Sequence, residues 1–446
     1  MRIRRSIVLA ACLLAGLLGD RRGRAESVVP PPTELPALLS LDQAMRLFRT
    51  RGLDLLLAEA NVRTAEGQVR VAGAVPNPVV TGGWGKTFNY DPTGCDQCST
   101  NYWTVGVSDS AAIENTITGK RRLRGDVARA ALAAARMSRA DAERTVGFQV
   151  KSAYLQAAQA TLAIRFAQDV AESNAKTLQL MTVRFQSGAI NEGDLARVQT
   201  QKLEADQALD QATSDLRQAR VALAQLMGVR GAVPDFDVDT RVLDYVEPPG
   251  LADASEASLL RGALERRPDL LAAGYQSASA RAQIAAAKRQ VFPDVTLGAT
   301  YSQLGTGASS TGGALSPPML VFTLSAPVPV FYQQQGEVRV AEAQADTAAL
   351  THARTAAQVA TDVASAYAAY TTSKRLVERM EGGLLKAAAI ARDITRLQYE
   401  KGAASLTDLL DAQRTYVATN VEHFQDLAGY WTAVFQLEQA VGTELR

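Results

Sequence analysis

Arg184-Phe185-Gln186-Ser187-Gly188, followed by Asp194-Leu195 and Gln199, decides how the rest of the chain is read. The same frame returns as Gln398-Tyr399-Glu400-Lys401-Gly402, followed by Asp408-Leu409 and Gln413. Aromatic, glycine, Asp-Leu and glutamine keep their spacing, displaced by 214 positions. Glycine suits a tight reversal between antiparallel helices, because it takes the left-handed backbone at little cost. Each motif closes a long proline-free stretch rich in alanine, arginine, glutamate and glutamine: Lys120 to about Arg184, and Gln335 to about Tyr399. Such composition favours helix. At about 1.5 Å per residue each stretch reaches about 95 Å, several times the helix length of compact domains. A second helix is expected after each turn, Asn191 to Met227 and Ser405 to about Val441.

Working outward, the upstream order also repeats. Each half opens on an expected single helix, Leu41 to Val75 and Ser258 to Val291, stopped by Pro76 and Pro78 or by Pro293. Two glycine-containing apolar segments follow in each half. The first half has Val79, Val80, Trp84, Phe88 and Tyr90, then Tyr102, Trp103, Val105 and Val107. The second has Val295, Leu297, Ala299 and Tyr301, then Leu320, Phe322 and Leu324. Period-two alternation marks strands, and spans of about 9–11 residues suit tilted membrane strands with aromatic girdles. The chain therefore reads as a duplicated helix–strand–strand–helix–helix unit. The repeats are 26–227 and 255–446, joined by a Pro/Gly-marked connector, 228–254.

Four strands cannot close a barrel, and an open sheet edge is not tolerated in hydrocarbon. Strands and long helices must be pooled between copies, which gives a wide tube attached to a barrel. The N-terminus fits export. Arg2, Arg4 and Arg5 precede the apolar run Ile7 to Leu18, and Gly23-Arg24-Ala25 offers small residues for cleavage, so 1–25 reads as a signal peptide. Leu9-Ala10-Ala11-Cys12 also has the form of a lipidation box, which leaves Cys12 as an alternative lipid site. No later stretch has 18 consecutive apolar residues. A net charge of +1 gives no reason to expect nucleic acid. The two histidines, His352 and His423, lie far apart without ligand-like neighbours. No nucleophile–base pair or metal constellation stands out, so neither an enzyme nor a cofactor is expected. The competing class is an exported coiled-coil stalk without channel activity.

These residues resemble the TolC-like outer-membrane efflux proteins over roughly 40–443. The duplicated Phe185…Gly188…Asp194-Leu195 and Tyr399…Gly402…Asp408-Leu409 motifs carry the resemblance. Arg267-Pro268-Asp269-Leu270 and Asp408-Leu409-Leu410-Asp411-Ala412-Gln413 add to it. It implies a mixed α/β membrane protein: a homotrimer with a twelve-stranded β-barrel, four strands per chain, continued by a long periplasmic α-helical barrel. It implies an outer-membrane location among lipid, reaching into the periplasm. It also implies two protein partners, a periplasmic adaptor and an inner-membrane transporter such as the RND type. The adaptor would meet the helical tips at Phe185, Gly188, Tyr399 and Gly402. Asp408 and Asp411 match acidic positions at the family's periplasmic constriction, although Asp408 in a first helical turn also reads as a helix cap. Pro327-Val328-Pro329-Val330-Phe331 with Gln333-Gln334-Gln335-Gly336 looks like the heavy-metal cation-efflux (CzcC-like) branch. Drugs or other small organic molecules are the alternative cargo.

Cys95 and Cys98 lie in the polar segment Asp91 to Asn101 between the first two strands. Two thiolates are fewer than a four-coordinate structural zinc site needs. In an oxidising compartment a small disulfide ring is the expectation.

Overall fold

A computed structural model describes residues 35–86, 101–303 and 318–445. The signal segment, Cys12, Phe88, Tyr90, Cys95 and Cys98 lie outside the described residues. In chain order the first repeat contains β1 (Leu38–Leu39), α1 (Leu41–Arg51), α2 (Leu53–Gly73), β2 (Val79–Lys86), β3 (Asn101–Ser108), α3 (Ala112–Ile117), α4 (Lys120–Gln186) and α5 (Glu192–Leu226). The connector contributes β4 (Asp237–Val238), and the second repeat contains α6 (Glu256–Arg266), α7 (Pro268–Arg289), β5 (Thr296–Gln303), β6 (Met319–Ser325), α8 (Gln335–Arg379), α9 (Leu385–Glu400) and α10 (Leu406–Val441).

The expected opening helices are each broken in two. In the first repeat, Gly52 leaves helical geometry at φ −58°, ψ 120°. In the second, Arg267 does so at φ −62°, ψ 123°. The second break follows from Pro268, whose ring forces the preceding residue toward extended backbone. At the first, the Phe48 ring and carbonyl press on the backbone: a Cβ on Gly52 would lie 2.6 Å from both. The second long helix is also interrupted. A π-helical turn at Met380–Leu384, containing Gly382-Gly383, separates α8 from α9, whereas α4 runs 67 residues unbroken.

The strands form one antiparallel sheet in the order β2-β3-β5-β6. Their described spans are 8, 8, 8 and 7 residues, shorter than the expected 9–11. Register separates the two faces. Val80, Val107, Ala299 and Phe322 stand side by side, as do Gly82, Val105, Tyr301 and Leu320. The opposite face carries Thr81, Gly106, Thr300 and Val321 in one row and Gly83, Thr104, Ser302 and Met319 in the next. One face is therefore apolar, while the other is mostly small or hydroxylated. That is the dyad expected where one side meets lipid and the other a wet interior. A Cβ on Gly106 would sit 2.7 Å and 2.8 Å from the Thr81 and Thr300 hydroxyls, so glycine is what lets this face pack. No helix among the described residues is long and apolar enough to cross a membrane.

The main core lies where the long helices pass the connector, around Phe48, Tyr154, Leu155, Val363, Tyr430 and Phe435. The Tyr154 hydroxyl donates to the Leu39 carbonyl at 2.8 Å and accepts from the Asp239 N–H at 3.1 Å. It thereby holds the parallel β1–β4 pair, and burial pushes its pKa up to about 12. Trp431 Nε1 donates to the Asp244 carbonyl and the Tyr430 hydroxyl to the Val246 carbonyl, both at 3.2 Å. The C-terminal strap closes on the same layer: the Gly250 N–H donates to the Leu445 carbonyl.

Candidate functional site: the paired helical tips

The two duplicated motifs fold as the same turn. After α4, the Gly188 N–H donates to the Phe185 carbonyl and the Ala189 N–H to the Arg184 carbonyl. After α9, Gly402 donates to Tyr399 and Ala403 to Gln398 in the same way. Gly188 and Gly402 take φ of +74° and +78°. Nothing lies within 4 Å of a Cβ built on either. The requirement for glycine is thus conformational, with no steric part.

The helices leaving the turns are capped differently. Asn191 caps α5 by accepting from the Asp194 N–H at 2.8 Å. Ser405 caps α10 in a reciprocal box. Its hydroxyl accepts from the Asp408 N–H at 3.2 Å, while its own N–H and hydroxyl donate to the Asp408 carboxylate at 2.9 and 2.7 Å. The Ser405 hydroxyl, and then its N–H, hold the exposed Asp408 carboxyl below the usual carboxylate range. Asp408 therefore caps its helix. Asp411, one turn further, is exposed. Where the second repeat has Asp411 the first has Arg197, which lies 3.6 Å from Asp194.

A small second core joins the two tips. Met181 and Val198 from the first hairpin are buried against Leu406, Leu409 and Leu410 of the second. The aromatic residues of the two motifs part company here. Tyr399 is half-buried against this core, with its hydroxyl 3.5 Å from Met181 Sδ. It accepts from Arg184 Nη1 at 3.4 Å, and the Arg184 guanidinium stands 5.6 Å from its ring centre. Phe185 is 39% exposed. Two polar links run alongside: Arg197 Nη1 donates to Thr407 Oγ1 at 3.3 Å, and Gln201 Nε2 to Gln413 Oε1 at 3.1 Å. Sequence reasoning missed Met181, Arg184, Arg197 and Thr407 as bridging residues. Gln413 was visible in the motif, but its partner is Gln201, two residues beyond the motif's Gln199. Above the tips the hairpins separate around a groove of about 750 Å³, lined by Phe166, Val170, Ala208, Ala212, Val417 and Phe424.

Geometry thus supplies a sheet with one apolar face, two very long hairpins, and tips joined by a small apolar core and a few polar contacts. Comparison with known proteins fits this arrangement. The profile described as "Outer membrane efflux protein" matches residues 45–229 and 259–443, two segments starting 214 positions apart, as the motifs do. The pyoverdine export outer membrane protein OpmQ of Pseudomonas putida is 28% identical over 84% of this chain and 80% of its own. The cobalt-zinc-cadmium resistance protein CzcC of Cupriavidus metallidurans is 24% identical over 93% of each chain. A crystal structure of CusC, studied for transmembrane channel formation, superposes with a TM-score of 0.73 at 20% identity, covering 96% of this chain and 99% of that one. The fold is that of the TolC-like channels, the setting is the outer membrane, and the chain is no enzyme: it belongs to the outer membrane efflux protein family.

Proposed function

We propose that three copies of this chain form the exit duct of a tripartite efflux assembly. The observation that supports this most directly is the four-stranded sheet. It has an apolar face, and β2 and β6 are its two edges. An edge left unpaired in hydrocarbon costs several kcal/mol per polar group. Three copies would supply twelve strands and close the ring, with the repeats 26–227 and 255–446 continuing it as a helical tube and 228–254 packed at its waist. A stalk protein has no use for such a sheet.

In this reading a periplasmic adaptor docks on the tips around Phe185, Gly188, Tyr399 and Gly402. An inner-membrane pump of the RND type supplies the energy, and passage through the duct is passive. Asp408 and Asp411 of each chain ring the periplasmic mouth, where clustered carboxylates favour cations. Opening separates the hairpins by breaking the Arg184–Tyr399, Arg197–Thr407 and Gln201–Gln413 contacts. The cargo reading favoured here is divalent or heavy-metal cations, supported by the full-length likeness to CzcC. Export of small organic molecules is the second reading, supported by the likeness to OpmQ.

Planar-bilayer conductance of the purified oligomer tests the duct and its mouth together, with Asp408→Asn/Asp411→Asn beside wild type. Asparagine keeps an acceptor for Ser405 while removing charge. Cation preference weakened by the double change is the expected result. Unchanged selectivity would retire the acidic mouth, and an assembled protein that never conducts would retire the duct.

A further inference from the structure

The helical end of the sheet forms a single rim. β3 and β6 end there, β2 and β5 begin there, and the register places Val79 beside Ser108 and Thr296 beside Ser325. The rim is firmly tied. Asp109 accepts from the Ala112 and Ile113 N–H groups at 2.8 and 3.2 Å, fixing α3 beneath β3. Lys120 Nζ donates to the Phe292 carbonyl at 2.6 Å and to Asp294 at 2.8 Å, fixing the start of α4 beneath β5.

Two further properties coincide on this rim. Its side chains are apolar and uncovered in the single chain: Phe331 is 99% exposed, Ile117 79%, Val328 77% and Val330 67%. Val328 and Val330 follow β6 just past Ser325, where the chain turns and the Val330 N–H donates to the Val328 carbonyl at 2.9 Å. The rim is also basic in excess. Arg121, Arg122, Arg124, Arg289 and Arg339 have no ion-pair partner among the described residues. Of the neighbouring acids, Asp294 pairs with Lys120, Asp126 with Arg129 and Glu342 with Lys288, while Asp109 caps α3 and Glu337 accepts from the Tyr332 hydroxyl.

We propose that this rim is an interfacial collar that binds anionic phospholipid headgroups in the periplasmic leaflet of the outer membrane. The inference rests on the duct reading, which places the apolar sheet face in lipid. Exposed apolar side chains on the rim just beyond that face enter the acyl boundary, and arginine guanidiniums beside them take headgroup phosphates with charge-assisted hydrogen bonds. An unbalanced run of arginines next to a membrane surface attracts anionic over zwitterionic lipid.

The test is binding of fluorescent phosphatidylglycerol, with fluorescent phosphatidylcholine as control, to the detergent-solubilised full-length assembly. Wild type should prefer phosphatidylglycerol. The preference should fall by about fivefold for each arginine lost in Arg121→Gln/Arg122→Gln/Arg124→Gln, and should survive in the matching lysine triple variant. Equal binding of the two lipids, or a glutamine variant with unaltered preference, overturns the collar. Phe331→Ser should weaken both lipids alike and leave the oligomer mass unchanged. If that change dissociates the oligomer in detergent, a second copy covers Phe331 and the apolar half of the proposal fails. Conductance is scored separately, so an assembly that binds phosphatidylglycerol but does not conduct removes the duct and not the collar.

Discussion

Asp408 shows how one side chain carries two constraints. It closes the Ser405 capping box, and the proposed duct also asks it to line the mouth. The hydrogen bonds that cap the helix keep its carboxyl ionised to lower pH than a free aspartate. A depressed carboxyl contributes its stability above the unfolded pKa of about 3.9 and loses it as pH falls through the folded value. The melting temperature of Asp408→Ala should therefore trail wild type at pH 7, and the gap should narrow below about pH 4. A gap of the same size at pH 3 would mean that the carboxylate charge plays no part. The glycines make a cleaner contrast. Gly402→Ala forces an L-residue into left-handed backbone, at about 1–2 kcal/mol. Gly382→Ala meets nothing within 4 Å and φ there is not positive, so it should be neutral or stabilising by up to about 1 kcal/mol. Chemical denaturation of both variants checks the order, and equal losses would contradict it.

At the scale of elements, the breaks in the helices carry more information than their lengths. Arg267, the last residue before α7, is 3% exposed. Its guanidinium grips Asp269 through two bonds at 3.0 and 2.6 Å, and Nη1 reaches Asp362 at 2.8 Å and the Ala440 carbonyl at 3.3 Å. The break in the helix is what turns Arg267 across α8 and α10 to make these contacts. Burial alone would raise the Asp269 pKa, but the Arg267 bonds outweigh it and leave the carboxyl below its ordinary range. Arg267→Ala leaves Asp269 with Arg144 at 3.7 Å and Asp362 with the Gln358 amide as their remaining side-chain partners, and should cost about 3 kcal/mol. Arg267→Lys should recover part of that, since an ammonium cannot match the two-toothed grip. Thermal unfolding that placed the lysine variant at or above wild type would contradict this.

For the whole molecule, the decisive property is the two-faced sheet. Phe322 stands beside Ala299 on the apolar face, and its neighbour Thr323 stands beside Gly298 on the other. Phe322→Lys should cost about 2–4 kcal/mol if it meets the middle of the bilayer and should reduce the yield of assembled oligomer in outer-membrane fractions. Thr323→Lys should assemble normally and shift ion selectivity toward anions. Equal yields for the two variants would mean that neither face meets lipid. Period two could be read from Leu320-Phe322-Leu324 because alternation in one strand is local. The long helices α4, α5 and α10 and both glycine turns were legible for the same reason: helix propensity, the absence of proline and a left-handed glycine are properties of neighbours in sequence.

What the sequence by itself determined is the duplicated order of elements and the turns at Gly188 and Gly402, because each follows from local backbone chemistry. Only the tertiary structure decided which residues join the hairpins. Tyr399 buries while its counterpart Phe185 stays exposed, and Gln413 takes Gln201 in place of Gln199. It also decided that Gly52 breaks a helix where Phe48 crowds it, that Gly382-Gly383 sits in a π-turn, and that Arg267 is buried. The two repeats share the glycine turn that their motif encodes, but what packs against each turn depends on side chains more than 200 positions away.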